Sequence, residues 1–234
     1  QLLELSGIGR PEILKNNDIE VVHKLAGVGE NYRDHFATRV CWQVSQKITF
    51  NELSRGLKLV GEALKYVFKR RGLLTFTAGV GHGFVRTRSE LATPDIQFLF
   101  APASFDPTTR ELDKLPGMTI GISQMRPESQ GSIHIGSPDP MAAPLIRPNF
   151  LSTIVDQQTL AAGMHIARQI GQAKALAPYR SHELKPGENC KDDDALLSYA
   201  RATGASIYHV MGTCKMGTDT DPMAVVDNQL KVWG

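Results

Sequence analysis

Between Gly56 and Arg71, apolar Val60, Ala63, Leu64, Val67 and Phe68 recur at helical spacing, while Lys58, Glu62, Lys65, Lys69 and Arg70 take the opposite face. That pattern predicts an amphipathic helix that covers something apolar. A second stripe, Leu160, Met164, Ala167 and Ile170, follows Asp156, which is placed to cap a long helix. Asp192 or Asp193 is placed to cap another through Leu196, Leu197 and Tyr199. The period changes to two in the middle of the chain. Residues 94–100 read as a strand, and in 118–125 Met118, Ile120 and Ile122 alternate with Thr119, Gly121 and Ser123, a half-buried strand pattern. A turn at 126–131 then predicts that 132–135 returns as the antiparallel partner of 118–125, as in a meander. Near the start, Gln1–Leu5 is helix-compatible, Gly7 and Gly9 break it, Pro11–Asn16 reads as a short helix, and Ile19–Val22 as a short strand. Strands bunched together with helices before and after them predict an α+β fold and not a run of βαβ units.

Composition changes this picture little. With 234 residues, 41% hydrophobic and 21% charged, the chain is long enough to bury a core and has ordinary globular content. Lys+Arg 26 against Asp+Glu 24 leaves a formal net charge of +2, with only short single-signed clusters such as Lys69-Arg70-Arg71, so nucleic acid is not the expected partner. Cys41, Cys190 and Cys214 are far apart and odd in number, which fits a reducing compartment. No apolar run reaches the roughly 18–20 residues of a membrane span. A cytoplasmic protein without an integral membrane segment is expected, with peripheral attachment to a membrane left open. The chain opens at Gln1 without a methionine and stops at Lys231–Gly234 with a strand-like pattern, so a fragment is expected.

The glycine pairs Gly7/Gly9 and Gly27/Gly29 begin as G-x-G but lack a third glycine, and Gly81-His82-Gly83 continues as Phe84-Val85-Arg86. Turns are the simpler reading, since no dinucleotide fingerprint or P-loop is present. There is no G-x-S-x-G elbow and no H-E-x-x-H, and His209 with Cys214 lacks the further ligands of a zinc site, so no metal centre is expected. Of the seven histidines, His134 on a strand and His165 on a helix read as structural. His209 stands apart. Apolar Ile207, Val210 and Met211 flank it and Gly212 follows, a setting expected to hold an imidazole in a dry, tightly turned pocket where its protonation matters.

Three stretches resemble the glucose–methanol–choline (GMC) oxidoreductases. Residues 1–9, QLLELSGIG, look like the end of the family's second signature and run on to residues 25–35, LAGVGENYRDH, which resemble its PGVGxNxxDH element. Residues 146–152, IRPNFLS, resemble I-x-P-N-Y-L-S. Residues 208–217, YHVMGTCKMG, with Ala224-Val225-Val226-Asp227, are similar to YHPxGTCxMG…AVVD.

The resemblance implies an FAD-dependent alcohol dehydrogenase or oxidase, like choline dehydrogenase, with a small alcohol as substrate and a quinone-like compound or oxygen as electron acceptor. It implies an antiparallel-sheet substrate-binding domain over 37–204, flanked by partial FAD-binding α/β segments at 1–36 and 205–234. His209 becomes the active-site base or hydrogen-bond partner, and Ile207 a lining residue of the substrate pocket. Asp34 and His35 are expected to stabilise a turn or close a loop over the pocket, Tyr208 faces the pocket or packs, and Cys214 and Met216 are expected in the core. The FAD contacts and a second active-site histidine or asparagine are not assignable to residues of this chain, which taken alone is expected to be inactive. Choline-specific members carry a glutamate four residues before the phenylalanine equivalent to Phe84, where this chain has Val80, so an uncharged alcohol is expected. Because the dinucleotide fingerprint is absent, a non-enzymatic ligand-binding or partner-docking module stands as the alternative.

Overall fold

The computed structural model describes residues 1–234 apart from 78, 107, 108 and 110. These residues divide into two compact units. The first comprises 1–35, 127–156 and 206–234; the second, 36–126 and 157–205. Residues 127–156 therefore group with the two terminal segments, and the stretch 37–204 is not one continuous domain.

In the first unit, α1 (Leu2–Leu5) leads into β1 (Ile8–Gly9), α2 (Pro11–Asn16) and β2 (His23–Lys24). The glycine-rich turn after α1 is itself a strand: β1 pairs in parallel with β2, Ile8 opposite His23. The strand expected at Ile19–Val22 thus falls at His23–Lys24. Pro11 occupies the first turn of α2, where its missing N–H costs nothing. Two further strands of this unit, β7 (Ser132–His134) and β8 (Leu145–Arg147), form an antiparallel pair. The partner expected for 132–135 was 118–125; Ile133 lies instead opposite Ile146. A small apolar core gathers Leu25, Val28 and Val225 with Leu3, Ile8, Val226 and Trp233. The last residues make isolated bridges, Val226 with Val232, and no strand.

The second unit is built on an antiparallel sheet. β4 (Gly81–Val85), β5 (Ile96–Ala101) and β6 (Gly117–Gln124) form a meander, and β6 continues the sheet onto β3 (Phe36–Val44), Val40 opposite Ile120. β9 (Arg180–Lys185) also pairs with β3, and the short β10 (Ala205–Ser206) ends the sheet order. Ahead of the meander come α3 (Phe50–Leu53), whose Thr49 and Glu52 make a capping box, and α4 (Gly56–Lys69). Helix α5 (Ile154–Gly171) lies on the sheet: Leu160, Met164 and Ala167 are fully buried. A Cβ at Gly163 would meet Ile122 at 2.8 Å, which places the helix backbone close against the strands. Ile170, at the end of the predicted stripe, is partly exposed. α6 (Asp193–Thr203) buries Leu196, Leu197 and Ala200, and Tyr199 donates to the Arg39 carbonyl.

The predicted caps fare differently. Asp192 caps α6, its carboxylate accepting from the Ala195 N–H at 2.8 Å. Asp156 does not cap α5. It lies within the first turn, where its own N–H donates to the Thr153 hydroxyl at 3.3 Å, while its carboxylate accepts from the N–H groups of Glu128 and Ser129 at 2.9 and 2.7 Å. The shorter Thr153 side chain reaches the helix end and frees the carboxylate for the 127–131 turn.

Candidate active site

The segment 31–35 is held in the first unit by backbone pairing. Tyr32 exchanges both hydrogen bonds with Gly131, and Arg33 does the same with Met211, all at 2.9 Å. Gly212 sits at φ +95, and a Cβ there would stand 2.2 Å from the Asn31 carbonyl oxygen, so only glycine allows this approach. The alternation of the segment then turns the Asp34 side chain inward, where it is almost wholly buried.

A buried carboxylate needs several donors, and Asp34 has them. Oδ1 accepts from the His209 N–H at 2.9 Å. Oδ2 accepts from the Tyr32 hydroxyl at 3.0 Å and from the Ser206 hydroxyl. The Ser206 oxygen in turn accepts from the Tyr208 N–H at 2.9 Å. One carboxylate thereby shapes the whole 206–209 turn, in which Tyr208 adopts φ +67. Burial, together with the hydrogen bond to Asp34, pushes the Tyr32 phenol up to about 12, so it remains a donor at all ordinary pH. Of the two roles expected for Asp34, the turn-stabilising one is observed.

His209 emerges from this turn beside His35. Their rings lie 4.9 Å apart, tilted by 53°, with Nδ1 facing Nδ1 at 3.2 Å. The Ile207 N–H donates to the His35 carbonyl at 3.1 Å, which fixes the pair's backbone. Two facing Nδ1 atoms form a hydrogen bond only if one carries the hydrogen and the other a lone pair. If His209 donates, its Nε2 is left with a lone pair, and that atom has no hydrogen-bond partner among the described residues.

The structure therefore brings His209, Ile207, Asp34 and His35 together. It does not give His209 the dry pocket expected from its apolar neighbours: His209 is exposed, and Tyr208, Val210 and Met211 expose 75%, 47% and 54% of their surface. The turn spends its polar contacts on Asp34 and directs the apolar side chains outward. Cys214 and Met216, expected in the core, are likewise exposed, because the 211–217 stretch is held by backbone bonds such as Gly29 N–H to the Thr213 carbonyl. Tyr32 and Ser206 were not singled out by the sequence.

A second cluster in this unit joins segments distant in sequence. Glu4, fully buried, accepts from His134 Nδ1 at 2.7 Å and from the Ile135 N–H at 2.9 Å. His134 Nε2 lies 3.2 Å from Glu30, which also binds Arg10 at 2.8 Å. The bond to Glu4 raises the His134 pKa above its ordinary value, and the charge of Glu30 adds to it. His134 is structural here, and His165, paired with Asp193 at 2.8 Å, is too. A cavity within the unit, about 760 Å³, has Asn31, Arg33, Arg147 and Lys215 in its wall; neither His209 nor Ile207 lines it. Among the described residues no group of His, Cys, Asp and Glu is arranged to hold a metal ion.

An α+β fold with a sequence-distant pair of histidines fixed by a buried carboxylate can now be set beside known proteins. The GMC oxidoreductase family profile matches residues 127–234. Alcohol dehydrogenase [acceptor] of Pseudomonas putida is 39% identical over the whole chain, which covers 42% of that protein. Mitochondrial choline dehydrogenase of Mus musculus is 36% identical, again over the whole chain and 39% of its own length. A variant structure of Aspergillus oryzae formate oxidase, solved to study FAD modification, superposes over 99% of this chain and 45% of that one with a TM-score of 0.85 at 21% identity, a likeness of fold. Residues 127–234 match the GMC oxidoreductase family, and the whole chain is similar to proteins named alcohol dehydrogenase and choline dehydrogenase. It spans about two-fifths of the length of the curated relatives it matches.

Proposed function

We propose that the chain forms part of an FAD-dependent oxidoreductase that converts the CH–OH group of a small neutral alcohol to a carbonyl, with His209 as the active-site base and Ile207 against the substrate. The observation that carries this reading is the presentation of His209: a turn anchored by buried Asp34 holds an exposed imidazole whose Nδ1 is engaged and whose Nε2 is not. The relatives' names, alcohol dehydrogenase and choline dehydrogenase, support the reaction class. Exposed Tyr208, Val210 and Met211 beside the imidazole suit an apolar ring system better than water, which fits a flavin. When bound, the flavin supplies the hydride acceptor.

In the proposed chemistry, His209 donates its Nδ1 hydrogen to His35, so that Nε2 holds the lone pair that takes the hydroxyl proton of the alcohol. The resulting imidazolium keeps its Nδ1–H bond to His35 and its main-chain bond to Asp34. His35 is thus a positioning residue that selects the tautomer. A quinone-like compound or oxygen takes the electrons away.

The test uses a flavin-loaded form of the protein that includes a dinucleotide fingerprint. His209→Ala is expected to lower kcat about 10²- to 10⁴-fold with flavin still bound. His35→Gln, whose amide oxygen can accept the same hydrogen bond, should retain more activity than His35→Leu. Undiminished turnover in His209→Ala sinks the assignment, and equal activity in the two His35 variants removes the tautomer role.

A further inference from the structure

The turn that carries His209 is an extrusion between two fixed points. Ile207 donates its N–H to the His35 carbonyl at 3.1 Å, and Met211 exchanges both main-chain bonds with Arg33. Between these points the chain takes two steps on one side, from 33 to 35, and four on the other, from 207 to 211. Two residues are surplus to the pairing, as in an enlarged β-bulge, and a bulge re-aims the side chains it carries. Tyr208 absorbs the change of direction: its φ of +67 lies in the left-handed region, which disfavours a bulky side chain.

A residue stays in that region only where its surroundings over-determine it. At Tyr208 they do so through two successive N–H groups. The Tyr208 N–H donates to the Ser206 hydroxyl oxygen at 2.9 Å, and that hydroxyl donates to Asp34 Oδ2. The next N–H, that of His209, donates to Asp34 Oδ1 at 2.9 Å. Both bonds thus converge on one carboxylate, the second directly and the first through Ser206. A left-handed residue is what lets neighbouring N–H groups point at a single anion. Asp34 keeps its Tyr32 and His209 donors if the serine hydroxyl is removed, so Ser206 acts on Tyr208 and not on the carboxylate's own burial. If Tyr208 left this conformation, the His209 side chain would depart from the turn in another direction, and its Nδ1 would no longer meet that of His35 at 3.2 Å.

We propose that Ser206 is a positioning residue for the proposed reaction: its hydroxyl extends the hold of Asp34 to the Tyr208 N–H, keeps Tyr208 left-handed and so directs the His209 imidazole toward His35. This rests on the reading of His209 as the base. At position 208 it is the backbone conformation that matters; the phenol enters none of these bonds.

Two measurements test the proposal apart from that reading. Hydrogen exchange followed by mass spectrometry reports on the 206–210 backbone with no reaction involved. Ser206→Ala is expected to speed exchange there about tenfold, and Ser206→Thr, which keeps the hydroxyl, to leave it near that of the unmodified protein. In the flavin-loaded form, Ser206→Ala should lower kcat about 10- to 100-fold at nearly constant KM and unchanged flavin content, with Ser206→Thr restoring most of the loss. Should Ser206→Ala fail to load flavin, a second pair leaves the serine in place. Tyr208→Asn and Tyr208→Val both lose the phenol, but asparagine tolerates the left-handed region and β-branched valine does not, so the valine variant should lose about tenfold more kcat. Unchanged exchange in Ser206→Ala, or equal kcat in the two position-208 variants, overturns the proposal and leaves His209 as the base untouched. Full turnover in His209→Ala removes the base and the positioning role together, whatever the exchange shows.

Discussion

His134 shows how a single side chain can tie the first unit together across the sequence. Its Nδ1 meets Glu4, 130 residues away, and its Nε2 meets Glu30, 104 residues away. Arg10 shares Glu30, so the charged groups that bear on the His134 imidazole are Glu4, Glu30 and, through Glu30, Arg10. Folding raises the His134 pKa through the Glu4 bond. A raised histidine value means that the folded state binds the proton more tightly than the unfolded chain. The stabilisation is complete below the unfolded value of about 6.5 and is lost as pH rises through the folded one. Urea unfolding of the wild type and of His134→Gln should therefore show a midpoint difference that is largest in mild acid and shrinks toward alkaline pH. A gap that widens with pH would mean the imidazole is buried neutral.

At the scale of elements, what the sequence disclosed follows from how local each signal is. The stripe Leu160, Met164 and Ala167 is a helical period, and it lies in α5 with all three buried. Leu160→Ala is expected to cost about 2–5 kcal/mol, because the sheet below, with Ile96 and Ile122 fully buried, can collapse only partly into the gap; chemical denaturation checks it, and a loss under about 1 kcal/mol would show that α5 is not packed as described. β5 was legible as the strand read at 94–100, and β6 from its alternation, though it is buried on both faces where a half-buried strand was expected. β3 was not legible: buried Cys41 interrupts its two-residue period, and the polar Thr38 sits on its buried face. Nor was β9, whose Arg-Ser-His-Glu-Leu-Lys is polar but for Leu184 and is held by backbone pairing to β3 and by the Arg168–Glu183 pair at 2.7 Å. The pairing of β7 with β8 was misread because adjacency in sequence pointed to β6, whereas the register joins 132–134 to 145–147. In the candidate site, apolar neighbours and the family resemblance singled out His209, but those neighbours turn outward and leave it exposed. The carboxylate that holds it was not legible, because Asp34 gathers Ser206 and His209 from 172 and 175 residues away, and no spacing rule encodes such a contact. The exposure of α4, none of whose residues is buried, was hidden for a related reason: periodicity reports that a face is apolar, and says nothing about what meets it.

For the molecule as a whole, the balance of charge bears on the substrate. The formal net charge of +2 on these 234 residues supplies no attraction of its own for a cationic alcohol, so within this chain recognition of such a substrate turns on a local carboxylate. By resemblance to choline-specific relatives, position 80 is where that carboxylate stands, and here it is Val80. The residue tolerates change: its side chain is 41% exposed and its N–H, not its side chain, bonds the Phe100 carbonyl at 2.9 Å. In the flavin-loaded enzyme the unmodified protein is expected to prefer a neutral primary alcohol over choline. Val80→Glu should shift the ratio of kcat/KM toward choline by at least about tenfold, equivalent to about 1.4 kcal/mol of differential binding. Val80→Gln, of similar size and without the charge, separates electrostatics from shape and should leave the ratio near its original value. If Val80→Glu and Val80→Gln act alike, charge at this position does not choose the substrate; if the unmodified protein already prefers choline, the ammonium is held by other groups and the neutral-alcohol reading falls, with the proton chemistry of His209 untouched.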